Sequence, residues 1–139
     1  MYGASKLACE GLIQAYSEAY NIKSYIFRFV SILGPRYTHG HVVDFYNKLL
    51  KNKKKLKILG NGNQKKSYLH VKDCINAITR VINLKTKKKI NIYNLGLNET
   101  ITVRESAKII CSYLKLKPKF IFSGGKRGWI GDVPLIKLS

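Results

Sequence analysis

Apolar positions recur at helix and strand spacing in alternation along the chain. Residues 4–20 place Ala8, Leu12, Ala15, Tyr16 and Ala19 on one stripe. This predicts an amphipathic helix that opens at the start of the sequence and stops at Asn21. Residues 24–30, S-Y-I-F-R-F-V, read as a buried strand, and Gly34-Pro35 ends the segment. Val42, Phe45, Tyr46, Leu49 and Leu50 predict a second helix, followed by a basic run at 51–57. Ile58-Leu59 is a short strand ahead of the turn cluster Gly60-Asn61-Gly62-Asn63, and 67–71 is another extended piece.

Asp73 is placed to cap a third helix, with Cys74, Ile75, Ile78, Val81 and Ile82 toward the core. Residues 85–89 form a charged turn, and 90–95 alternate as a strand does. Thr102 and Glu105 stand as a capping box for a helix with Val103, Ala107, Ile110, Cys111 and Leu114 on one face. Residues 119–122 are a last strand before Gly124-Gly125. Such alternation predicts an α/β protein with at least partly parallel strands. No internal repeat or Gly/Ser/Pro linker divides residues 1–139, which read as a single region.

The 139 residues are 45% hydrophobic and 24% charged. That composition excludes a disordered chain, a collagen-like repeat and a disulfide-stapled miniprotein. No apolar run is long enough to span a membrane. The net charge of +19, from 26 basic and 7 acidic residues, points toward nucleic acid, anionic membrane or a phosphorylated ligand. Most of the basic residues are Lys, whereas base readers and phosphate clamps favour the Arg fork. The runs at 51–57 and 85–89 lack interleaved aromatics, so a solvated face competes with a nucleic-acid-binding module.

Cys9, Cys74 and Cys111 are odd in number and widely spaced. They read as small core residues of a reducing, cytoplasmic protein. No carboxylate or Cys stands at ligand spacing around His39, His41 and His70, so no metal site is expected.

Tyr2 and Lys6 are four residues apart, which on a helix stacks phenol and ammonium on one face. A phenol has pKa ~10, and bringing it near 7 requires about 4 kcal/mol. One cation at ~4 Å with an effective dielectric of ~20 supplies about that much. The pair can therefore make a proton-transfer group matched to neutral pH. The spacing alone also arises by chance in a Tyr- and Lys-rich chain.

The surrounding residues narrow the reading. Y-G-A-S-K-L-A-x-E at 2–10 and R-F-V-S-I-L-G-P-R at 28–36 resemble the extended short-chain dehydrogenase/reductase family, in its nucleotide-sugar epimerase and dehydratase branch. Residues 60–73 resemble its G-x-G-x-Q-x-R-x-[FY]-[IL]-x-V-x-D stretch. Y-N-L-G at 93–96 resembles a strand end, and 124–134 the late R-x-G-D loop with one residue extra. The five matches keep their order over nearly the whole chain.

The resemblance implies that Tyr2 exchanges a proton with a sugar hydroxyl while hydride passes to or from NAD. Lys6 would hold the nicotinamide ribose and lower the Tyr pKa. Phe29 and Val30 would face the cofactor, with plain strand packing as their alternative. Ser31, where many relatives carry Asn, would face the sugar. His41 and Val42 fall near the loop that covers the nucleotide. Lys66 stands where relatives place an Arg on the diphosphate, and Lys65 could share that role. Arg127 matches the late-loop diphosphate Arg and Asp132 the acid after it, a solvated turn being the alternative. Trp129 would stack on a base or sugar, or cap a core edge.

No Gly-rich turn leads from a predicted strand into a predicted helix as a dinucleotide-binding turn does, and the Ser/Thr that partners the catalytic Tyr would precede Tyr2. The resemblance thus implies the end of a Rossmann fold plus a sugar-nucleotide-binding part, with the N-terminal dinucleotide-binding half absent. Residues 1–36 would be the catalytic helix and following Rossmann strand, and 37–139 mainly the substrate-binding part. The expected function is NAD-dependent epimerisation of a nucleotide sugar, of the UDP-sugar 4-epimerase lineage, inactive as an isolated fragment. One subunit of a split epimerase or dehydratase, a non-functional remnant, and a basic nucleic-acid-binding module are the alternatives. Expected partners are a nucleotide sugar and a separate Rossmann half or a second copy, with no membrane and no specific nucleic acid.

Overall fold

Three of the four strand pairs among the described residues are parallel. The computed structural model describes residues 1–128 and 131–132; Trp129, Ile130 and residues 133–134 of the late-loop motif lie outside them. The chain order is α1 (Tyr2–Tyr20), β1 (Ser24–Phe29), β2 (Ser31–Leu33), α2 (His41–Lys51), β3 (Lys55–Ile58), β4 (Lys65–Lys66) and β5 (Tyr68–His70). Then come α3 (Val71–Ile82), β6 (Ile90–Leu95), β7 (Ile101–Thr102), α4 (Val103–Tyr113) and β8 (Lys119–Phe122). β1 pairs with β6, β2 with β5 and β3 with β8 in parallel, and β4 with β7 antiparallel. The α/β class with parallel strands is as the sequence predicts.

Side chains alternate across β1, so Ser24, Ile26 and Arg28 share one face. α1 lies on that face: the Ser17 and Ser24 hydroxyls are hydrogen-bonded, and Arg28 makes a two-point ion pair with Glu10. The guanidinium beside it holds the Glu10 carboxyl below the usual carboxylate range. Leu95 stands opposite Phe29 in register and so points to the other face. There α3 brings Cys74 and Ile78 against Val30, Leu69, Ile32 and Leu95. A second apolar cluster joins α2, β3 and α4 through Phe45, Leu49, Leu56, Ile58, Val103, Ala107 and Cys111, with Phe120 and Phe122 of β8 packed on it.

Five expectations need correction. The α1 stripe is exposed, Leu12 at 61% and Tyr16 at 59%, Cys9 on the same helix is exposed rather than a core residue, and the one buried residue of the helix is Ser17. Its apolar side points away from β1, because the polar pairs Ser17–Ser24 and Glu10–Arg28 dictate which side meets the sheet. The cap of α3 is His70, whose ring accepts from the Lys72 N–H at 3.2 Å, while Asp73 sits in the first turn. Ile75 and Ile82 of α3 are exposed. β3 starts at Lys55 rather than at Ile58, with Leu56 and Ile58 inward and Leu59 beyond its end and exposed.

The capping box forms in full. Thr102 Oγ1 accepts from the Glu105 N–H at 3.1 Å, and Glu105 Oε2 accepts from the Thr102 N–H at 2.8 Å. That backbone hydrogen bond holds the Glu105 carboxyl below its ordinary value. Thr102→Ala is expected to cost about 1 kcal/mol in urea unfolding. An unchanged midpoint would mean that the β4–β7 pairing alone sets the helix start.

Candidate functional site

α1 runs antiparallel to β1 across the short 21–23 connection. Arg28, near the C-terminal end of β1, grips Glu10 at 2.6 and 2.9 Å. Lys6 and Tyr2 lie four and eight residues before Glu10, about 6 and 12 Å further along the helix axis. They therefore stand beyond the C-terminal end of β1, the side on which open α/β sheets bind ligands. The Lys6 ammonium is 5.4 Å from the Tyr2 ring centroid, and Tyr2 is 78% exposed. Phe29 at the end of β1 is half-exposed and stacks on Phe27, while Val30 is buried with Leu69 and Cys74.

Strand register assembles a second group of residues. Ser31 stands beside Tyr68 in the β2–β5 pair, and Lys66 beside Ile101 in β4–β7, directly ahead of α4. A cavity of about 170 Å³ is lined by His41, Phe45, Leu59, Gln64, Lys66, Val103, Gly128 and Asp132. Lys66 also borders an adjoining cleft with Val30, Ser31, Lys65 and Ser67. The Lys66 ammonium is paired with Asp132 Oδ1 at 2.5 Å, and Asp132 Oδ2 accepts from the Gly128 N–H at 3.0 Å. Burial alone would push the Asp132 carboxyl up. The hydrogen bonds from Lys66 and Gly128, with the Lys66 charge, outweigh it and hold the group below its ordinary value.

His41, at the start of α2, is hydrogen-bonded through Nε2 to Ser106 Oγ at 3.0 Å, and the Tyr68 hydroxyl lies 3.1 Å from the same nitrogen. Burial pushes the Tyr68 phenol well up and the His41 imidazole down, the nearby Lys66 charge adding to the latter. Gln64 donates to Leu59 O at 3.1 Å, and a Cβ on Gly60, at φ +76°, would collide with that amide. This Gly60–Gln64 turn forms one wall of the cavity.

His41 gives a pH prediction. Because its folded pKa is below its ordinary 6.5, the unfolded chain takes up the proton first as pH falls. Stability is therefore expected to drop as pH goes below about 6.5. His41→Asn is expected to flatten that part of a urea-midpoint profile taken from pH 7.5 to 5; an unaltered slope would contradict it.

The structure thus groups Ser31, His41, Lys66 and Asp132 around adjoining spaces. Val42 faces elsewhere, lining a groove of about 650 Å³ with Leu33, Tyr46, Ile109 and Tyr113. Arg127 is exposed, with its carbonyl beside Gly60. Neither Tyr2 nor Lys6 lines the cavity. Tyr68, Ser106 and Gln64 were not singled out from the sequence, although the Q and Y of the 60–73 stretch marked two of them. Among the described residues no three His, Cys, Asp or Glu gather as a metal site requires, and no helix is long and apolar enough to cross a membrane.

Residues 1–96 match the family described as the NAD dependent epimerase/dehydratase family. The chain belongs to that family. It is 32% identical over 114 residues to the dTDP-D-glucose 4,6-dehydratase of Homo sapiens, covering 82% of this chain and 32% of that protein. It is 29% identical over 131 residues to a putative UDP-glucose 4-epimerase of Methanocaldococcus jannaschii, covering 91% and 41%. Among solved structures it superposes on a UDP-galactose 4-epimerase with TM-score 0.77 and 29% identity, covering 87% of this chain and 40% of that one. A Thermus thermophilus UDP-glucose 4-epimerase in complex with NAD gives TM-score 0.71 and 27% identity, covering 91% and 42%. The chain therefore spans a third to two-fifths of the length of these relatives, and its α/β fold matches part of theirs. Within the family match lie Tyr2, Lys6, Phe29, Val30, Ser31, His41, Val42 and Lys66; Arg127 and Asp132 fall after it.

Proposed function

We propose that these residues form the proton-transfer and nucleotide-sugar-binding part of an NAD-dependent enzyme of the UDP-sugar 4-epimerase lineage. The observation that carries this is the Tyr2–Lys6 pair standing beyond the C-terminal end of β1, on a helix tied to that strand by Glu10–Arg28. The pair is open to solvent and lies where a dinucleotide meets a parallel sheet, so the residues present fit the nicotinamide end of NAD. Lys6 would hold the ribose hydroxyls, and half-exposed Phe29 would border the ring. Val30, buried in the apolar cluster, would support that wall from behind. When bound there, NAD would supply the hydride acceptor and donor for the sugar.

In this reading Tyr2 accepts a proton from the sugar hydroxyl through its phenolic oxygen and gives it back. Lys6 stands next to Tyr2, its ammonium 5.4 Å from the Tyr2 ring centroid. Ser31 orients the sugar. Lys66 meets the diphosphate, with Arg127 and Lys65 adding charge from the solvent side, and His41 borders the nucleotide. Asp132 holds Lys66 in place; a diphosphate approaching Lys66 meets a cation already fixed by a carboxylate.

Binding the dinucleotide also needs a Gly-rich turn that leads from a strand into a helix, and among the described residues none does so. By themselves they are expected to show no turnover. A dinucleotide-binding part, in the same or a separate polypeptide, completes the site, and a second copy of the chain is a further partner. The protein would work in the reducing cytoplasm, as its buried free thiols Cys74 and Cys111 suit.

A dehydratase is the second reading, favoured by the 32% identity to the human dTDP-D-glucose 4,6-dehydratase; it uses the same Tyr–Lys pair. Calorimetric titration of the native protein with UDP and dTDP tests the nucleotide assignment. UDP is expected to bind at least as tightly as dTDP, and Lys66→Met to weaken both by about tenfold or more, the loss of one charged hydrogen bond. Absence of UDP binding would overturn the lineage, and dTDP alone binding would favour the dehydratase.

A further inference from the structure

Two lysine-rich segments far apart in sequence, 51–57 and 115–119, meet on the outer side of the β3–β8 pair. Register sets Lys55 directly beside Lys119, whose neighbouring contact is its own N–H donated to Lys54 O at 2.9 Å. Leu56 and Ile58 turn into the core, which sends Lys55 and Lys57 outward. Lys53 and Lys54 precede one strand and Lys117 the other, and all six lysines are exposed.

No carboxylate is near them in sequence: none occurs from 45 to 72 or from 106 to 131. The ion pairs among the described residues use Glu10, Asp44, Asp132 and Glu18, and none reaches these six lysines. Like charges on neighbouring strands destabilise a sheet, so this face carries a cost that a bound anion would offset. The run at 85–89 differs, because Lys89 is paired with Glu18 at 3.4 Å and Lys23 donates to Thr86 O.

We propose that this face binds the phosphate backbone of nucleic acid without reading its sequence. Lysines on alternate residues of extended chain repeat about every 6.6 Å, and paired strands lie about 4.8 Å apart. The result is a regular array of point charges suited to successive phosphates. Lysine supplies charge without the planar fork that reads base edges. Phe120 and Phe122 turn into the apolar cluster, leaving no stacking platform for bases. A membrane-binding face would add apolar groups to insert, whereas the outward apolar side chain of the paired strands is Ile121, only 37% exposed.

The test is fluorescence anisotropy of a short labelled oligo(dT), titrated with the full chain at about 0.05–0.2 M salt. One variant carries Lys55→Gln, Lys117→Gln and Lys119→Gln. Its charge-matched control carries Lys85→Gln, Lys87→Gln and Lys88→Gln. The first is expected to bind about tenfold or more weakly, with a log–log salt slope shallower by about 2, since each single-strand phosphate contact contributes about 0.7. The control is expected to change by less than about threefold. Its melting temperature serves as the fold check: that of the first variant should hold or rise, because the Lys55–Lys119 repulsion is gone. Equal losses in the two variants would overturn the proposal, as that is what net charge alone produces. Tighter, Lys55-dependent binding to phosphatidylserine vesicles than to oligo(dT) would overturn it in favour of a membrane.

Discussion

Replacing Tyr2 with phenylalanine is expected to lower turnover by the native protein about 10²–10⁴-fold, the usual worth of a positioned proton-transfer group. The substitution removes one hydroxyl from a side chain that is 78% exposed. No core packing is lost, so stability is expected to stay within about 0.5 kcal/mol. Loss of rate can then be assigned to the chemistry and not to folding. Nucleotide-sugar affinity is expected to change little, because the binding groups assigned here, Lys66 and Asp132, belong to a cavity that Tyr2 does not line. Steady-state kinetics and a nucleotide titration on the same sample separate the two effects. Activity within about tenfold of the native protein would place proton transfer elsewhere.

Leu49→Ala is expected to destabilise the fold by about 2–5 kcal/mol. Leu49 is 0% exposed and lies among Phe45, Leu56, Ile58 and Ala107 at the meeting of α2, β3 and α4. Truncation there removes buried surface and leaves a cavity in a cluster whose neighbours are fixed by two helices and a parallel strand pair. Against a total of about 5–15 kcal/mol for a domain, that is enough to unfold part of the population. The adjacent Leu50 is 56% exposed, and Leu50→Ala is expected to cost under about 0.5 kcal/mol. Urea unfolding of the two variants checks the contrast; equal costs would mean that the packing around α2 differs from that described.

Local signals were the most legible. The Thr102–Glu105 capping box and the Val103, Ala107, Cys111 face of α4 follow from chemistry within one or two turns. The α1 stripe shows where periodicity stops: it marks an apolar side but does not say what covers it. Here Ser17 and Glu10 choose the side that meets β1, and they are polar. β3 was hidden because outward lysines alternate with Leu56 and Ile58, so that a strand reads as part of a basic run. Asp73 is the residue type that caps well, yet His70 is the one with extended backbone just ahead of α3.

The site was legible in a different way. Motif matches named Lys66 and Asp132, whose pairing spans 66 residues, but no spacing rule could reveal that they touch. The same holds for His41 and Ser106, 65 residues apart. Such contacts depend on how α2 packs on α4 and on where β4 places Lys66, and a two-residue strand leaves almost no pattern in a sequence. The resemblance sets His41 and Val42 together near the nucleotide-covering loop, but one step along a helix turns a side chain by about 100°, and Val42 lines a different groove.

The most direct test incubates the native protein with UDP-glucose and NAD and follows the sugar by NMR, with Tyr2→Phe and Lys6→Met samples alongside. Interconversion of UDP-glucose and UDP-galactose is expected, lost in both variants, with none from the 139 residues alone. Turnover that survives both substitutions, or a folded native protein that leaves UDP- and dTDP-hexoses unchanged, would contradict it.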